Sequence, residues 1–564
     1  MLLTRLEQGS RSSPRTARAA SVVAMLFVLV GCGGGSSGSP PPPIPPPPPP
    51  PIAQGAAFKF LNQASFGATE SEAADVIALE YERWIDDQMQ RPASLQLPYL
   101  QSLPVPQPVG QLNADRVHIW FEHALHAPDQ LRQRVAFALS EIMVVSELGA
   151  LGQAPYSLAS YYDTLAELAF GNFRDLMEAV TLHPAMGVYL SMLGNEKPNP
   201  ALNIRPDENY ARELMQLFTI GLVELELDGT VRTDVNGDPI PTYSQDIIEG
   251  FAHVFTGWHY AGAPSFEQAT RTLFNQVIPM QLYPSFHDTG PKQLLNGAVL
   301  PAGQTGQQDL DDALDNIFAH ENVGPFIAQR LIERLTTSNP SPQYVARVAS
   351  AFNNNGSGMR GDLAAVVKAI LLDPEARLTA DGLGGVDTAG KIKEPLLRLT
   401  QLWRAYDARS ASGQYALRSA NVLFGQGPLQ APSVFNFFSP FYAPSGEIRD
   451  RGLVAPELQL ATEFQNTLHT NLMFLFTFSW NSENAANLDP DFVYIDIAEE
   501  VAIAGDVDAL IDRVAEKLLA GEMSPTLRAE MQRILGLVSA TDVVLRAAEA
   551  IYLVVTSPEF ANQR

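Results

Sequence analysis

Apolar residues recur at helical spacing through most of the chain after residue 56. In the segment 129–146, one stripe with a 3.6-residue period contains Leu131, Val135, Leu139 and Ile142. Comparable stripes run through the segments 69–90, 207–224, 244–256, 309–319, 323–337, 342–352, 361–372, 391–406 and 541–555. This periodicity predicts a mainly α fold, built as one large multi-helix domain.

Several helix starts carry local capping signals. Thr69 precedes an apolar-periodic run and is followed by Glu72, which is the pattern of a capping box. Asp129 follows Pro128 and is a candidate N-cap for the next helix. Ser524-Pro525 combines a cap residue with a proline in the first turn. These signals predict helices that begin at each of the three points.

Strand signals are few. The best is Asn236-Gly237, which predicts a β-hairpin turn between the segments 230–235 and 238–242. The segments 261–306 and 407–450 are rich in glycine, proline, aromatic and amide residues, and are expected to be long irregular loops that are functional or cover a groove. We therefore expect strand below about 10% of the body, against a usual 20–25%.

The length of the body predicts two packed helical subdomains. The chain has 564 residues, of which roughly 510 remain after an atypical N-terminus. A single core rarely organises so many residues, so we place one subdomain at 56–260 and the other at 261–564.

The N-terminus has the order of an export signal. Four arginines precede the apolar run 19–30, which is too short to span a bilayer as a mature helix. The run ends in Leu29-Val30-Gly31-Cys32, which resembles the bacterial lipobox, and Cys32 is the only cysteine in the chain. We interpret 1–31 as a lipoprotein signal peptide and Cys32 as the lipidated residue. The alternative is a free cysteine behind an ordinary signal peptide.

The segment after Cys32 predicts how far the folded domain is held from the membrane. Residues 32–55 contain a Gly/Ser stretch and the run 40–51, which is proline except for Ile44. Such a run adopts polyproline II and forms a rod of about 35–40 Å at ~3.1 Å per residue. Gly33 stands where an inner-membrane retention signal would place Asp. We therefore expect a cell-envelope protein, anchored in the outer membrane rather than the inner one.

The charge balance narrows the classes of partner. The formal net charge is -25, and a body this acidic repels phosphate backbones and anionic lipid heads. Nucleic acid is not expected as a partner, whereas cations, cationic partners and neutral polymers remain open. A single cysteine excludes an internal disulfide and any cysteine-based metal cage. The sequence assigns neither a metal nor a cofactor.

Two polar segments are candidates for catalysis. The first is a helix start with Glu208, Arg212 and Glu213, and the second is a loop with His287, Asp288 and Lys292. Carboxylates oriented by an arginine, together with a loop histidine, are the groups that acid–base chemistry uses. We predict that the two segments face each other across one cleft, with Trp258 on its wall. The alternatives are a structural ion-pair network for the helix and a capping role for the loop.

Aromatic residues form the candidate binding surface. Trp258 lies in the F-T-G-W motif, and the loop 432–442 contains Phe435, Phe437 and Phe438. Exposed aromatic side chains stack on sugar rings or peptides, but aromatic loops also fill cores. Both interpretations of this loop remain open.

Taken in order, these segments resemble one family. The motifs are F-L-N-Q-A-S-F-G-A-T (60–69), E-N-Y-A-R-E-L-M-Q-L-F-T-I-G (208–221), P-I-P-T-Y-S-Q (239–245), F-T-G-W (255–258), H-D-T-G-P-K (287–292), K-E-P-L-L-R (393–398), P-S-V-F-N-F-F-S-P (432–440) and S-P-E-F (557–560). As a set they are similar to the bacterial exported proteins of the domain of unknown function 1800 family (DUF1800). The resemblance implies a mainly helical fold, export, and an exported partner of the domain of unknown function 1501 family. It brings no catalytic residue.

Two classes of function follow from the sequence. One is a binding or accessory module for an extracellular polymer or an exported partner protein, which needs a broad aromatic or acidic groove. The other is a hydrolase-like or metal-dependent enzyme, which needs the segments 208–213 and 287–292 to converge in one open pocket.

Overall fold

A computed structural model describes residues 51–377, 390–415, 417 and 419–563. The predicted signal peptide, the lipidated Cys32 and the stalk as far as residue 50 lie outside the described residues and stay predictions.

The described chain is mainly helical, as predicted. Its helices, in chain order, are α1 Gln54–Ala64, α2 Glu70–Gln90, α3 Gln96–Ser102, α4 Val109–His126, α5 Gln130–Ser140, α6 Pro155–Glu167, α7 Phe173–Leu182, α8 Pro184–Tyr189, α9 Asn209–Glu213, α10 Gln245–Val254, α11 Gly306–Phe318, α12 Val323–Leu335, α13 Pro342–Asn353, α14 Leu363–Leu372, α15 Pro374–Arg377, α16 Pro395–Ala405, α17 Ala420–Phe424, α18 Glu447–Asp450, α19 Glu463–Phe474, α20 Ala498–Ile503, α21 Val507–Leu519, α22 Pro525–Leu535, α23 Val543–Val555 and α24 Pro558–Ala561.

The strands that the structure describes form short antiparallel pairs. They are β1 Trp258–His259 with β2 Gln281–Leu282, β3 Lys292–Gln293 with β4 Val299–Leu300, and β5 Lys391–Ile392 with β6 Asn562–Gln563. The pair of β5 and β6 joins distant parts of the chain. The chain also reverses at Asn236-Gly237 as predicted, where Asp234 N donates to Asp238 O at 2.8 Å. There, isolated bridges such as Thr233↔Pro239 stand in place of the continuous strands that we expected.

Helices begin at all three predicted points, and the capping side-chain hydrogen bond forms at two of them. Thr69 Oγ1 accepts the Glu72 amide at 3.2 Å, and Ser524 Oγ accepts the Leu527 amide at 3.1 Å. Asp129 precedes α5 but does not cap it with its side chain. Its carboxylate instead accepts the hydroxyl and the amide of Ser94, at 2.6 and 3.0 Å, because the loop before α3 packs against this helix start.

The helix predicted at 207–224 is shorter than expected. It begins as α9 at Asn209 and continues as a π-helical segment, Leu214–Thr219. Thr219 Oγ1 donates back to Leu214 O at 2.6 Å, and Gly221 follows with a φ of 74°. A positive φ of this size is favourable for glycine and ends the helix here.

Helix α5 lies inside the fold, and every one of its residues is buried. Some of its polar groups find backbone acceptors, as when Arg134 Nη2 donates to Arg334 O at 2.6 Å, whereas Arg134 Nε and Nη1 are buried without a partner. One apolar cluster extends from Ala57 to Phe560 and includes the buried rings of Trp120 and Trp403. Residues Pro51–Arg564 form one compact unit. The subdomain boundary at 260/261 stays a prediction.

Within the described ranges, none of the helices combines the length and the hydropathy needed to cross a bilayer.

Candidate functional site

Helix α10 carries the first part of the candidate site. Its apolar face, with Ile248, Phe251 and Ala252, is buried, so the helix is fixed against the core. His253 lies in its last turn, and the F-T-G-W motif follows at once. Gly257 has a φ of 85°, and a Cβ there would lie 2.9 Å from the His287 amide. Glycine therefore lets the 287–292 loop pack directly on the end of α10.

The buried side chain of Asn195 joins the residue before the acidic helix start to the end of α10. Its Oδ1 accepts the Asp207 amide at 2.8 Å, and its Nδ2 donates to Asp207 O at 3.4 Å and Ala252 O at 3.5 Å. Its carbonyl accepts the Gly257 amide at 2.8 Å. The sequence analysis did not identify Asn195, because a single asparagine in a loop carries no pattern.

A His–Asp pair stands at the surface end of this site. His253 Nδ1 hydrogen bonds with Asp288 Oδ2, and the two side chains are 31% and 21% exposed. Burial alone would raise the pKa of Asp288, but the Gly290 amide, His253 and Lys292 together hold it below its usual value. The pair therefore joins an ionised carboxylate to an imidazole that solvent can reach.

Beneath this pair lies a buried ionic cluster. Asp309 Oδ2 contacts Lys292 Nζ at 2.6 Å and His287 Nε2 at 2.9 Å, and all three side chains are 0–1% exposed. His287 Nδ1 lies 3.0 Å from Thr256 O, while Lys292 Nζ also donates to Asp288 O at 2.6 Å. Both ring nitrogens of His287 are occupied, so the ring is a structural element and cannot reach a substrate.

Asp309 is the central acceptor of this cluster, and the sequence analysis missed it. It lies in the first turn of α11, where acidic residues commonly serve only the helix dipole. No signal in the sequence links it to His287 or Lys292.

The acidic helix start forms a separate group, in which Glu208 and Arg212 are partly exposed and Glu213 is buried. Glu208 Oε2 accepts Arg212 Nη2 at 3.0 Å and Gln245 Nε2 at 2.9 Å. Burial raises the pKa of Glu213, although Arg212 opposes the shift. Exposed pairs such as Glu208–Arg212 contribute at most about 1 kcal/mol.

The structure brings His287, Asp288 and Lys292 together but keeps Glu208 and Arg212 at the other end of α10. Eight residues separate Gln245 from His253, a rise of about 12 Å. In the part of the chain that the structure describes, no hydrogen bond or ion pair joins the two groups. Their convergence in one open pocket stays a prediction.

Trp258 does not lie on an open wall. It is 2% exposed and belongs to β1, where it pairs with Leu282. Its indole nitrogen is buried without a hydrogen-bond partner. This ring therefore fills the core beside the 287–292 loop.

The aromatic loop, defined as residues 432–442, is partly buried and partly exposed. Phe438 is 2% exposed and lies under the Arg334 guanidinium, 4.7 Å from its ring centre. Phe437 is half-buried. Phe435 and Phe441 are 57% and 74% exposed. The loop is thus fastened by one ring and presents others to solvent.

A buried carboxylate pair lies under the aromatic loop. Gln426 Nε2 donates to Glu394 at 2.6 Å and to Glu141 at 3.2 Å, and Asn436 of the loop lies 3.4 Å from Glu141 Oε1. Burial and the neighbouring Glu394 raise the pKa of Glu141 to about 8. Although burial opposes it, Lys391 lowers the pKa of Glu394. Of the two carboxyl groups, Glu141 is therefore the one that retains a proton to higher pH.

Further charges neutralise this pair from below. Lys391 Nζ lies 3.1 Å from Glu394 and 3.2 Å from Glu457, and Arg334 lies 3.6 Å from Glu141.

Among the residues that the structure describes, no group of three or more His, Cys, Asp or Glu side chains is arranged to hold a metal ion.

Comparisons with known proteins give one match. The family model described as protein of unknown function (DUF1800) matches residues 59–562. Comparison with curated proteins and with solved structures finds no match.

Proposed function

The chain belongs to the DUF1800 family of proteins of unknown function, and from this premise we propose that it is a lipid-anchored binding module of the cell envelope. In this proposal the aromatic loop holds a neutral extracellular polymer, such as a polysaccharide. The anchor is Cys32, and the proline run 40–51 holds the body away from the membrane.

The observation that carries the proposal is the way in which the aromatic loop is held. Phe435 and Phe441 are exposed on a loop whose backbone is fixed by Asn436 and Phe438 below it. Rigid aromatic side chains lose little conformational freedom on binding, so their contact area converts well into affinity. Phe441 also lies 5.2 Å from the Arg330 guanidinium, which restrains the ring.

Net charge favours a neutral ligand. A chain with a formal charge of -25 repels polyanions at long range. Sugar rings present apolar C–H faces that stack on aromatic rings without any charge. A neutral polysaccharide therefore suits the loop better than nucleic acid or an acidic polymer does.

The burial of His287 and Lys292 is the main argument against the enzyme that the sequence allowed. Both side chains are 1% exposed and paired with Asp309. A catalytic group has to reach the reacting atoms, to within roughly 3 Å. These two groups stabilise the fold beside the His253–Asp288 pair.

The His253–Asp288 pair supports a second candidate function, a hydrolase-like enzyme. An ionised carboxylate that hydrogen bonds to one ring nitrogen orients an imidazole to act as a general base through its other nitrogen. The test is release of soluble reducing ends from a bound polysaccharide. An enzyme would release them, and Asp288→Asn would abolish the release, whereas a binding module releases none.

The polymer proposal is tested by co-sedimentation of the full-length protein, in detergent, with insoluble neutral polysaccharides. Replacing Phe435 and Phe441 by alanine should weaken binding about tenfold or more, since each aromatic contact contributes about 0.5–1.5 kcal/mol beyond its area. Phe274→Ala is the matched control, because Phe274 is 69% exposed in another segment. Equal binding by all variants would refute a role for the loop.

The alternative ligand is an exported partner protein of the domain of unknown function 1501 family. Capture of the full-length protein from its own cell envelope, followed by mass spectrometry, distinguishes this case. Enrichment of such a partner that is lost with the Phe435 and Phe441 replacements would assign the loop to a protein partner.

A further inference from the structure

Lys393 lies in the K-E-P motif, directly after strand β5. Its amide donates to Ala561 O at 2.7 Å, which continues the pairing of β5 with β6. The residue is 4% exposed, so its side chain runs inside the fold. The polymer-binding function described above makes no use of it.

The other buried lysines of the described chain are ion-paired. Lys292 Nζ lies 2.6 Å from Asp309, Lys391 lies 3.1 Å from Glu394, and Lys517 lies 2.9 Å from Glu500. A buried ammonium without such a partner is costly, because its charge leaves water without compensation.

Lys393 departs from this rule. Among the described residues, no carboxylate lies within ion-pair distance of its Nζ. The nitrogen donates to Gln401 Oε1 and lies 3.8 Å from the centre of the Phe560 ring. Gln401 is held in turn, because its Nε2 donates to Leu518 O at 3.1 Å. One N–H direction of the amine is therefore fixed by an amide oxygen.

A cavity of about 40 Å³ ends at Lys393. Its lining also includes Lys59, Asn62, Leu518, Glu522, Glu559 and Gln563. Gln563 Oε1 is buried without a hydrogen-bond partner. This space is sufficient for a small polar group, and one amine in its lining, that of Lys393, lacks a counter-ion.

Burial, and secondarily the charge of Arg398, lower the pKa of Lys393 well below its ordinary value. The Phe560 ring offers a π face to a cation, which offsets part of this effect. Lysines in apolar pockets lose their proton readily, and the neutral amine is the form that attacks carbonyl carbons.

We propose that Lys393 is a nucleophilic amine that condenses with the carbonyl group of a small aldehyde or ketone admitted to this cavity. The Nζ lone pair forms a bond to the carbonyl carbon, and a proton moves from nitrogen to oxygen to give a carbinolamine. Loss of the hydroxyl with the second amine proton releases water and leaves an imine. The step is a reversible condensation and needs no oxidant or reductant.

The carboxyl groups on the cavity wall suit the second half of this reaction. Departure of the hydroxyl as water requires a proton donor, and Glu522 and Glu559 line the same cavity. Glu559 is already an acceptor for the Ser524 amide at 3.0 Å. Within the proposal, Glu522 is therefore the proton donor.

The test is site-resolved reductive methylation of the folded, full-length protein with formaldehyde and sodium cyanoborohydride. Tandem mass spectrometry assigns the label to individual lysines, and separates Lys391 from Lys393. We expect Lys393 to react at least tenfold faster than Lys292, Lys391 and Lys517, which are equally buried but paired. Its rate should also reach a plateau at a lower pH than the rate of the exposed Lys197.

Two outcomes would overturn the proposal. One is labelling of Lys393 only after the protein is unfolded, and the other is a rate equal to those of the paired lysines. Lys393→Met, which removes the amine but keeps most of the volume, should lose this label alone. If that variant does not fold, the wild-type rates still decide the question.

Discussion

At the scale of single residues, buried charges set the shape of the candidate site. Asp309 is the carboxylate partner of both His287 and Lys292, and none of the three side chains is more than 1% exposed. Two potential cations thus depend on one buried anion. The 287–292 loop is held by this arrangement more than by strand pairing, since β3 has only two residues.

Asp309→Asn is therefore expected to destabilise the protein by about 3–5 kcal/mol, because it leaves Lys292 buried without a counter-ion. Glu208→Gln, which removes an exposed pairing with Arg212, should cost less than about 1 kcal/mol. The free energy of unfolding from chemical denaturation measures both. An equal decrease in the free energy of unfolding of the two variants would contradict the role of Asp309 as the counter-ion of Lys292.

The sequence predicted this site in part. The H-D-T-G-P-K segment concentrates polar residues in a loop, and the structure places His287, Asp288 and Lys292 together. Asp309 and Asn195 could not be predicted, because their partners are distant in sequence and neither lies in a pattern of its own. Nor could the sequence predict which side chains of the loop point into the core. His287 and Lys292 do so, and they are therefore buried.

At the scale of elements, the aromatic loop rests on a carboxyl group whose pKa is shifted. Asn436 of the loop donates to Glu141, and burial together with the neighbouring Glu394 raises the pKa of Glu141. The charges that face Glu141 and Glu394 are Lys391, Arg334, Arg134 and Glu457. Loss of a proton from Glu141 places two carboxylates side by side beneath the loop.

Stability is expected to fall as pH rises from about 5 to 8. The pKa of Glu141 is about 8 in the folded protein and 4.5 ordinarily, so within this window the folded state keeps a proton that the unfolded chain has lost. The folded state binds more protons, and the free energy of unfolding therefore decreases with pH. The decrease should be on the order of 2–4 kcal/mol.

Glu141→Gln isolates this effect, since glutamine mimics the protonated acid. The variant should show a weaker decrease in the free energy of unfolding between pH 5 and 8 than the wild type shows. Denaturation curves at several pH values measure it, and identical slopes would assign the pH dependence to other groups. Glu394→Gln is the contrasting control. It should destabilise the protein at every pH, because Lys391 loses its closest carboxylate partner.

Helix starts could be predicted from the sequence where the capping residue and its partner are close together in the chain. Thr69 and Ser524 cap their helices because each bond spans only three residues. The change from α9 to a π-helical segment at Leu214 was not predictable, since a segment of six residues is too short to show an apolar period of its own. Asp129 failed as a cap because Ser94 competes for its carboxylate from outside the helix.

At the scale of the whole molecule, the proposed function depends on the anchor. Cys32→Ala should abolish palmitate labelling and move the protein from the detergent phase to the aqueous phase. Ser36→Ala, within the Gly/Ser stretch, is a control that keeps the lipobox. Labelling that survives the loss of Cys32 would show that this cysteine is not the acylated residue.

The pairing of β5 with β6 has a consequence for the order of folding. Lys391 pairs with Gln563, whose Nε2 donates to Leu335 O at 2.7 Å, and Phe560 is fully buried. In the exported protein that we propose, a chain that crossed a membrane with its N-terminus first would complete this part of the core only after residues 560–563 had also crossed.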